Sequence, residues 1–262
     1  MSAKQYERLL YEKKDGVAKI SFNNPNKYNA IDWKMAEELQ EAFSDVDKDD
    51  DVRVVVLTGV GDRAFCTGAD LSVFETLSAV GGYIWLTSCG YELIRRIEKP
   101  IIARVSGYCL AGGLEYALAC DFIIASEDAT FGVPEINSAI IPSGGGTIRL
   151  PRAIPSRKAK ELLFTGERIS AKEAERLGLV NRVVPGDKLD EVLGEIVEKI
   201  KSKSPFALKI AKKVIDRGLE VPNIEAALTM ELLGGSVLLS SEDCKEGVTA
   251  FKEKRKAVFK GK

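Results

Sequence analysis

Two glutamates carry the chemistry that this chain can offer. Glu115 sits in Gly112 to Cys120, which reads as a short helix. Its other residues (Leu114, Tyr116, Ala117, Leu118, Ala119) are apolar nearly all round, a pattern of burial. A lone buried carboxylate is costly, so Glu115 must be partnered, protonated or functional. Glu135 follows Pro134 in Phe131-Gly132-Val133-Pro134-Glu135-Ile136, and proline suits the first position of a helix or turn. Each has a plainer alternative. Glu115 would simply favour its helix start, and Glu135 would be a helix-start carboxylate facing solvent. The 262-residue chain contains no histidine. That excludes Ser-His-Asp and Cys-His catalysis and any metal site that needs imidazole. Acid–base work is left to carboxylates, Lys, Tyr, Cys or backbone.

Backbone donors are the second resource. In Val105-Ser106-Gly107-Tyr108-Cys109-Leu110-Ala111-Gly112 a buried strand ends, a glycine-rich turn follows and a helix starts. First-turn N–H groups lack intrahelical partners and lie at the positive end of the helix dipole, where a developing oxyanion is stabilised. Phe65-Cys66-Thr67-Gly68-Ala69-Asp70-Leu71 follows another strand, where α/β sheets place ligands, and Gly68 and Ala69 are small enough for close approach. The alternatives are a tight turn that needs glycine and a strand-to-helix turn capped by Asp70. Gly144-Gly145-Gly146 offers a further close approach. Gly59-Val60-Gly61-Asp62-Arg63-Ala64 matches a dinucleotide fingerprint, but Thr67 and Gly68 oppose the helix it should open. The acidic ribose ligand is missing too, with Ala79 and Val80 in its place.

The elements that would position these groups are legible. Leu9 to Glu12 and Val17 to Phe22 flank Asp15-Gly16, a hairpin signal. Asp32 can cap a helix from Trp33 to about Val46, with Met35, Ala36, Leu39, Ala42, Phe43 and Val46 at helical spacing. Arg53 to Thr58, Ile101 to Val105 and Phe122 to Ala125 read as buried strands. Strands alternating with helices predict an α/β core with a largely parallel sheet. Beyond about residue 187 the texture is helical: Leu189 to Lys201, Pro205 to Leu219, Ile224 to Leu239 and Ser241 to Phe259. This predicts a core over residues 1–200 holding the site, and a helical region over residues 201–262.

Composition narrows the classes. Lys and Arg number 38 against 39 Asp and Glu, which argues against a globally basic nucleic-acid binder. Apolar residues at 45% and charged residues at 29% are ordinary for a globular protein. Cys66, Cys89, Cys109, Cys120 and Cys244 form no C-x-x-C, so a disulfide framework and a zinc ribbon are not expected. The charged opening segment lacks the apolar run of a signal peptide, and the longest uncharged stretch, Thr76 to Tyr91, is short for a membrane span. A cytoplasmic protein is the expectation.

At these motifs the chain resembles the crotonase superfamily, the enoyl-CoA hydratase/isomerase family. The resemblance rests on Ala64 to Leu71, Gly107 to Glu115, Phe131 to Glu135, Pro142 to Pro151 and Gly178-Leu179-Val180-Asn181. It implies a spiral of ββα units with a C-terminal helical trimerisation region, assembled as a trimer or dimer of trimers. It implies an acyl-CoA thioester substrate, with coenzyme A as part of the substrate and no metal or redox cofactor. The N–H groups of Ala69 and Gly112 would form the oxyanion hole. Glu115 and Glu135 would clamp one water, Glu115 deprotonating it and Glu135 delivering a proton to C2. The reaction implied is syn addition of water across C2=C3 of a short-chain or cyclic 2-enoyl-CoA, as in fatty acid β-oxidation. CoA contacts would come from Lys27, Arg63, Gly68, Asp70 and Leu71, and from Phe251 and Lys254 near the C-terminus. Phe74 and Trp85 would bound the acyl group, with core packing the alternative for Trp85. Two departures stand out: Ser72 where mitochondrial-type hydratases often have Lys, and Ala111 where the family usually has the first of three glycines. An enoyl-CoA isomerase is the rival within the family. An RNA-binding homologue is the rival outside catalysis, and the balanced charge and lack of a long basic, aromatic-interleaved stretch speak against it.

Overall fold

The computed structural model describes residues 5–75 and 77–262. Residues 1–4, in the opening segment, and Thr76, which starts the long uncharged stretch, lie outside the described residues. The chain forms two compact units. The first runs to Leu193 without Glu98–Pro100, and the second joins Glu98–Pro100 to Gly194–Lys262.

The first unit is built from β1 (Leu9–Lys14), β2 (Val17–Phe22), β3 (Val54–Gly59), β4 (Ala64–Cys66), β5 (Ile101–Val105), β6 (Tyr108–Leu110), β7 (Phe122–Ser126), β8 (Thr130–Gly132), β9 (Arg168–Ser170) and β10 (Arg182–Val184). Six form one sheet in the order β1-β2-β3-β5-β7-β10, and four form a second in the order β4-β6-β8-β9. β1 and β2 are the expected hairpin, with Asp15 and Gly16 both at positive φ. From β2 onward the large sheet is parallel, as the uninterrupted apolar runs require. Val54 to Leu57 and Ile101 to Ala103 are buried.

The architecture repeats one device. A strand of the large sheet (β3, β5, β7) turns a corner into a strand of the small sheet (β4, β6, β8). β3–β4 and β5–β6 then lead into helices, two of which are Ala79–Ser88 and Gly112–Ala119. The corner at Gly107 is too tight for any side chain, since a β-carbon there would lie 2.2 Å from the Arg63 carbonyl oxygen. β4, β6 and β8 run parallel, so the segments leaving their C-terminal ends come together on one side. Those segments are Thr67 to Asp70, Ala111-Gly112 and Val133 to Glu135.

Asp32 caps the helix Trp33–Lys48 by accepting the Met35 N–H at 2.8 Å. That helix buries Met35, Ala36, Leu39, Ala42, Phe43 and Val46, as its spacing predicts. No single helix among the described residues is long and apolar enough to cross a membrane.

In the second unit the helices Pro205–Glu220 and Ile224–Leu239 pair closely enough that a β-carbon on Gly234 would lie 2.9 Å from the Ile210 side chain. The closing helix is shorter than the sequence suggests. It spans Glu242–Glu253 and not Ser241 to Phe259, because Lys254 turns left-handed (φ 54°). The chain then folds back, and the reason lies in Asp243. Its buried carboxylate accepts from the N–H of Lys260 (2.7 Å), the N–H of Gly261 (3.0 Å) and the hydroxyl of Ser204 (2.6 Å). Helical periodicity past residue 253 competes with these bonds and loses. Replacing Asp243 by Ala strands those donors, and the expected loss is about 1–3 kcal/mol. Thermal unfolding would register it, and limited proteolysis would cut the last residues sooner than in the wild type.

Candidate active site

The helix Gly112–Ala119 starts under constraint. Ala111, which precedes it, has φ 51° and ψ −130°, a conformation that non-glycine residues rarely adopt. Its N–H donates to the Gly132 carbonyl at 2.9 Å, tying the turn to β8. Gly112 faces Gly68 directly. A β-carbon on Gly68 would lie 2.8 Å from that of Ala111 and 2.9 Å from the Gly112 nitrogen. The two turns therefore touch through their backbones, and only glycine fits at that contact.

Ala69 is oriented by one short parallel bridge to Ile31. The bonds run from Ile31 N–H to the Gly68 oxygen (2.9 Å) and from Asp70 N–H to the Ile31 oxygen (2.8 Å). They use the residues flanking Ala69. The Ala69 N–H therefore projects from the opposite edge of the strand, since successive amides alternate sides. The first-turn N–H of Gly112 and the N–H of Ala69 thus belong to abutting turns, and both are available to an outside acceptor.

Glu115 lies one turn into the helix and is 3% exposed. Its partner is a loop. Oε1 accepts the Gly146 N–H at 2.7 Å, and a β-carbon at Gly144 would fall 2.7 Å from Oε2. The triple glycine exists because backbone wraps a carboxylate here. Burial pushes the Glu115 carboxyl up, while the N–H groups of Gly146, Gly144 and Gly145 and the charge of Arg149 pull it back.

Glu135 follows Pro134 in the short 3-10 helix Pro134–Ser138, after β8. Its solvent-facing alternative is excluded: Oε2 is buried and meets no hydrogen-bond partner among the described residues. Burial, reinforced by the charge of Glu115, pushes its carboxyl up to about 7. Residues twenty positions apart in sequence thus share one electrostatic environment, Glu115 with donors from a loop and Glu135 with its own backbone N–H.

Other expected residues fall differently. Lys27 forms an ion pair with Asp70, whose carboxyl is held down at about 2 by that amine and by Ser72. Ser72, in the place of the mitochondrial-type lysine, bonds Asp70 through its hydroxyl at 2.8 Å. Arg63 stacks over the Tyr28 ring, 4.5 Å from its centroid, and Leu71 is exposed. Phe251 is exposed and Lys254 forms the left-handed cap, both in the second unit. Phe74 packs partly buried against the core. Trp85 is a correction: at 2% exposure it is core, its ring edge-on to Trp33 at 4.8 Å, so its indole does not stand on an open wall. The fingerprint at Gly59 opens no helix, as its context predicts, since β4 follows directly.

Tyr91 and Arg149 escape sequence reasoning. The Tyr91 hydroxyl is 2.5 Å from where a β-carbon on Gly112 would lie, and its ring is equally close to one on Gly144. A tyrosine at the end of an uncharged stretch gives no sign of this. Arg149 lies in Pro142 to Pro151, where the resemblance marks the segment but no spacing assigns the residue.

Comparisons with known proteins give the family. Residues 12–262 match the family model described as enoyl-CoA hydratase/isomerase. The chain belongs to that family. It is a hydro-lyase acting on enoyl-CoA thioesters. It is 39% identical over 256 residues to a crotonyl-CoA hydratase of Syntrophomonas wolfei, covering 97% of this chain and 98% of that protein. It is 40% identical over 255 residues to the (E)-benzylidenesuccinyl-CoA hydratase of Thauera aromatica, covering 97% and 99%. The crystal structure of an enoyl-CoA hydratase from Bacillus anthracis superposes with a TM-score of 0.94 at 40% identity, covering 98% of this chain and 100% of that one. The crotonase fold expected from the motifs is the fold observed.

A raised carboxyl makes a stability statement. Glu135 binds its proton more tightly folded than unfolded, so its contribution is full below the ordinary glutamate range and is lost as pH rises toward about 7. Glu135→Gln does not titrate. Its melting temperature should exceed that of the wild type by roughly 2 °C or more at pH 8, and the gap should close at pH 4.5. A gap independent of pH would contradict the burial of this carboxyl.

Proposed function

We propose that the protein adds water, syn, across the C2=C3 bond of a short-chain or cyclic 2-enoyl-CoA, and catalyses the reverse dehydration. The observation that carries this reading is the pairing of a loop-anchored Glu115 with a Glu135 whose Oε2 meets no partner among the described residues and whose carboxyl is pushed up to about 7. The hydratases of crotonyl-CoA and benzylidenesuccinyl-CoA that it resembles support the substrate class.

In this reading the thioester oxygen accepts from the N–H groups of Ala69 and Gly112. Charge grows on that oxygen as C3 is attacked, and each donor lowers the barrier by ~3 kcal/mol. Glu115, favoured in its ionised form by its donors, removes a proton from the water. The water oxygen bonds to C3, and the electron pair of the double bond moves toward C2 and the thioester. Glu135, which still holds a proton near pH 7, delivers it to C2. Syn addition requires both carboxyls to act from the same side of the double bond. A group held by a loop's donors serves as base and a desolvated group with an unpartnered oxygen as acid, the usual division of labour between two carboxylates. No metal or redox cofactor enters any step.

CoA is assigned to the surface around Gly68-Ala69-Asp70-Leu71, with Lys27 and Arg63 toward the phosphates and Phe251 and Lys254 contributing from a neighbouring subunit. Phe74 is assigned to the acyl pocket. A trimer or dimer of trimers in the cytoplasm completes the proposal. The helix Ile224–Leu239 supports assembly: Ile224, Leu228, Leu232, Leu233, Val237 and Leu239 are all at least half exposed in the isolated chain. Light scattering should give a multiple of three chains, and Leu232→Glu with Leu233→Glu should yield smaller species.

Crotonyl-CoA tests the reaction, because hydration removes its conjugated thioester absorbance. A 3-enoyl-CoA should remain unreacted, whereas an isomerase would convert it and leave crotonyl-CoA untouched. Glu115→Gln and Glu135→Gln should each lower kcat by roughly 100- to 10,000-fold with little change in CoA affinity. Wild-type hydration should fall above about pH 7 as Glu135 loses its proton, and fall again in acid as Glu115 gains one. Near-normal turnover in either variant would defeat the assignment.

A further inference from the structure

We propose that Arg149 is a positioning residue for Glu115, holding the loop that grips the carboxylate and placing a positive charge beside it; this rests on the reading of Glu115 as the base. Arg149 belongs to the helix Gly146–Ala153, and its side chain is 14% exposed. One guanidinium nitrogen donates to the Gly144 carbonyl at 2.8 Å. The other donates to Glu92 at 2.5 Å. Between them the guanidinium lies across Gly145, where a β-carbon would come within 2.3 Å of Nη1. Gly145 itself sits at φ 118°, a conformation closed to most side chains. The loop is therefore clamped from one side by a fork and from the other by the carboxylate, which takes the Gly146 N–H at 2.7 Å.

Electrostatics point the same way. Glu115 itself acts on Cys89, Tyr91 and Glu135 of other elements and on Tyr116 of its own helix, pushing each of them up. All are acids, so none offsets a negative charge. Arg149 is the cation among the groups acting on this carboxyl, and it favours the ionised form. Glu92 is 68% exposed and holds the far end of the guanidinium from the solvent side. It adjoins Tyr91, whose ring packs against Gly144 and whose hydroxyl packs against Gly112. The helix Tyr91–Arg96 thus braces the oxyanion turn with one residue and the loop with the next. Lysine would keep the charge without the fork, and methionine would keep the aliphatic stem alone.

The test compares Arg149→Met and Arg149→Lys with wild type in two measurements. One is the pH profile of kcat for crotonyl-CoA hydration. The other is a titration of the Glu115 carboxyl by NMR in protein carrying carbon-13 at its glutamate carboxyls, the signal being assigned by its loss in Glu115→Gln. In Arg149→Met the acid limb of the profile and the Glu115 titration should both move up by about one pH unit, the alkaline limb should stay, and KM should change less than about threefold. Arg149→Lys should restore part of the shift. An unmoved Glu115 titration in a folded variant overturns the proposal, as does a uniform loss of kcat at every pH with no displacement of the acid limb. Should Arg149→Met fail to fold, an unshifted Arg149→Lys profile overturns it equally. Absence of hydration by the wild type would sink the hydratase reading alone, because the NMR titration still reports on the link between Arg149 and Glu115.

Discussion

The structure depends on holding one carboxyl group, that of Glu115, out of water. Burial of a carboxylate is expensive, and a hydrogen-bonded setting is the usual way such a group is tolerated. Here the setting is backbone. The Gly144 to Gly146 loop presents N–H groups where no side chain would fit, and Gly146 bonds the carboxylate directly. Glu135 draws on its own backbone N–H and on no loop of this kind, and its Oε2 meets no partner among the described residues. In the proposed reaction that asymmetry separates two identical side chains into a base and an acid. It also marks the region as one where stability has been exchanged for chemistry.

The fold makes this arrangement through a repeated corner. Three strands of the large sheet each turn into a short strand of the small sheet, and those short strands are parallel. Their C-terminal ends deliver the Ala69 turn, the Gly112 helix start and Glu135 to one side. The N–H donors of Ala69 and Gly112 are precise because each is fixed by close backbone packing, with Gly68 against Gly112 and Ala69 beside Ile31. A site built on backbone contacts has few rotamers to lose, which suits groups that must be ready before charge develops.

Much of this was legible beforehand. The hairpin, the capped helix after Asp32, the buried strands and the helical second half follow from turn chemistry and periodicity, and the structure has them. The short strands β4, β6 and β8 are three residues each, too brief for a period to register, so the second sheet was not legible. The closing helix was overextended because periodicity does not see the Asp243 carboxylate capturing the returning chain. Trp85 and Trp33 illustrate another limit, since an aromatic in a candidate pocket segment reads the same whether it lines a cavity or fills a core.

The sequence by itself determined the kinds of groups available: no imidazole, two glutamates in apolar or glycine-rich settings, and glycines where backbone must come close. These are local properties, fixed by residue type and by neighbours within a turn or two. Tertiary structure alone decided that the Gly68 and Gly112 turns touch, that Glu115 is bound by a loop thirty-one positions away and that Arg149 reaches across that loop. Such contacts join segments distant along the chain, and their energies depend on distance and burial, which no spacing in a sequence encodes.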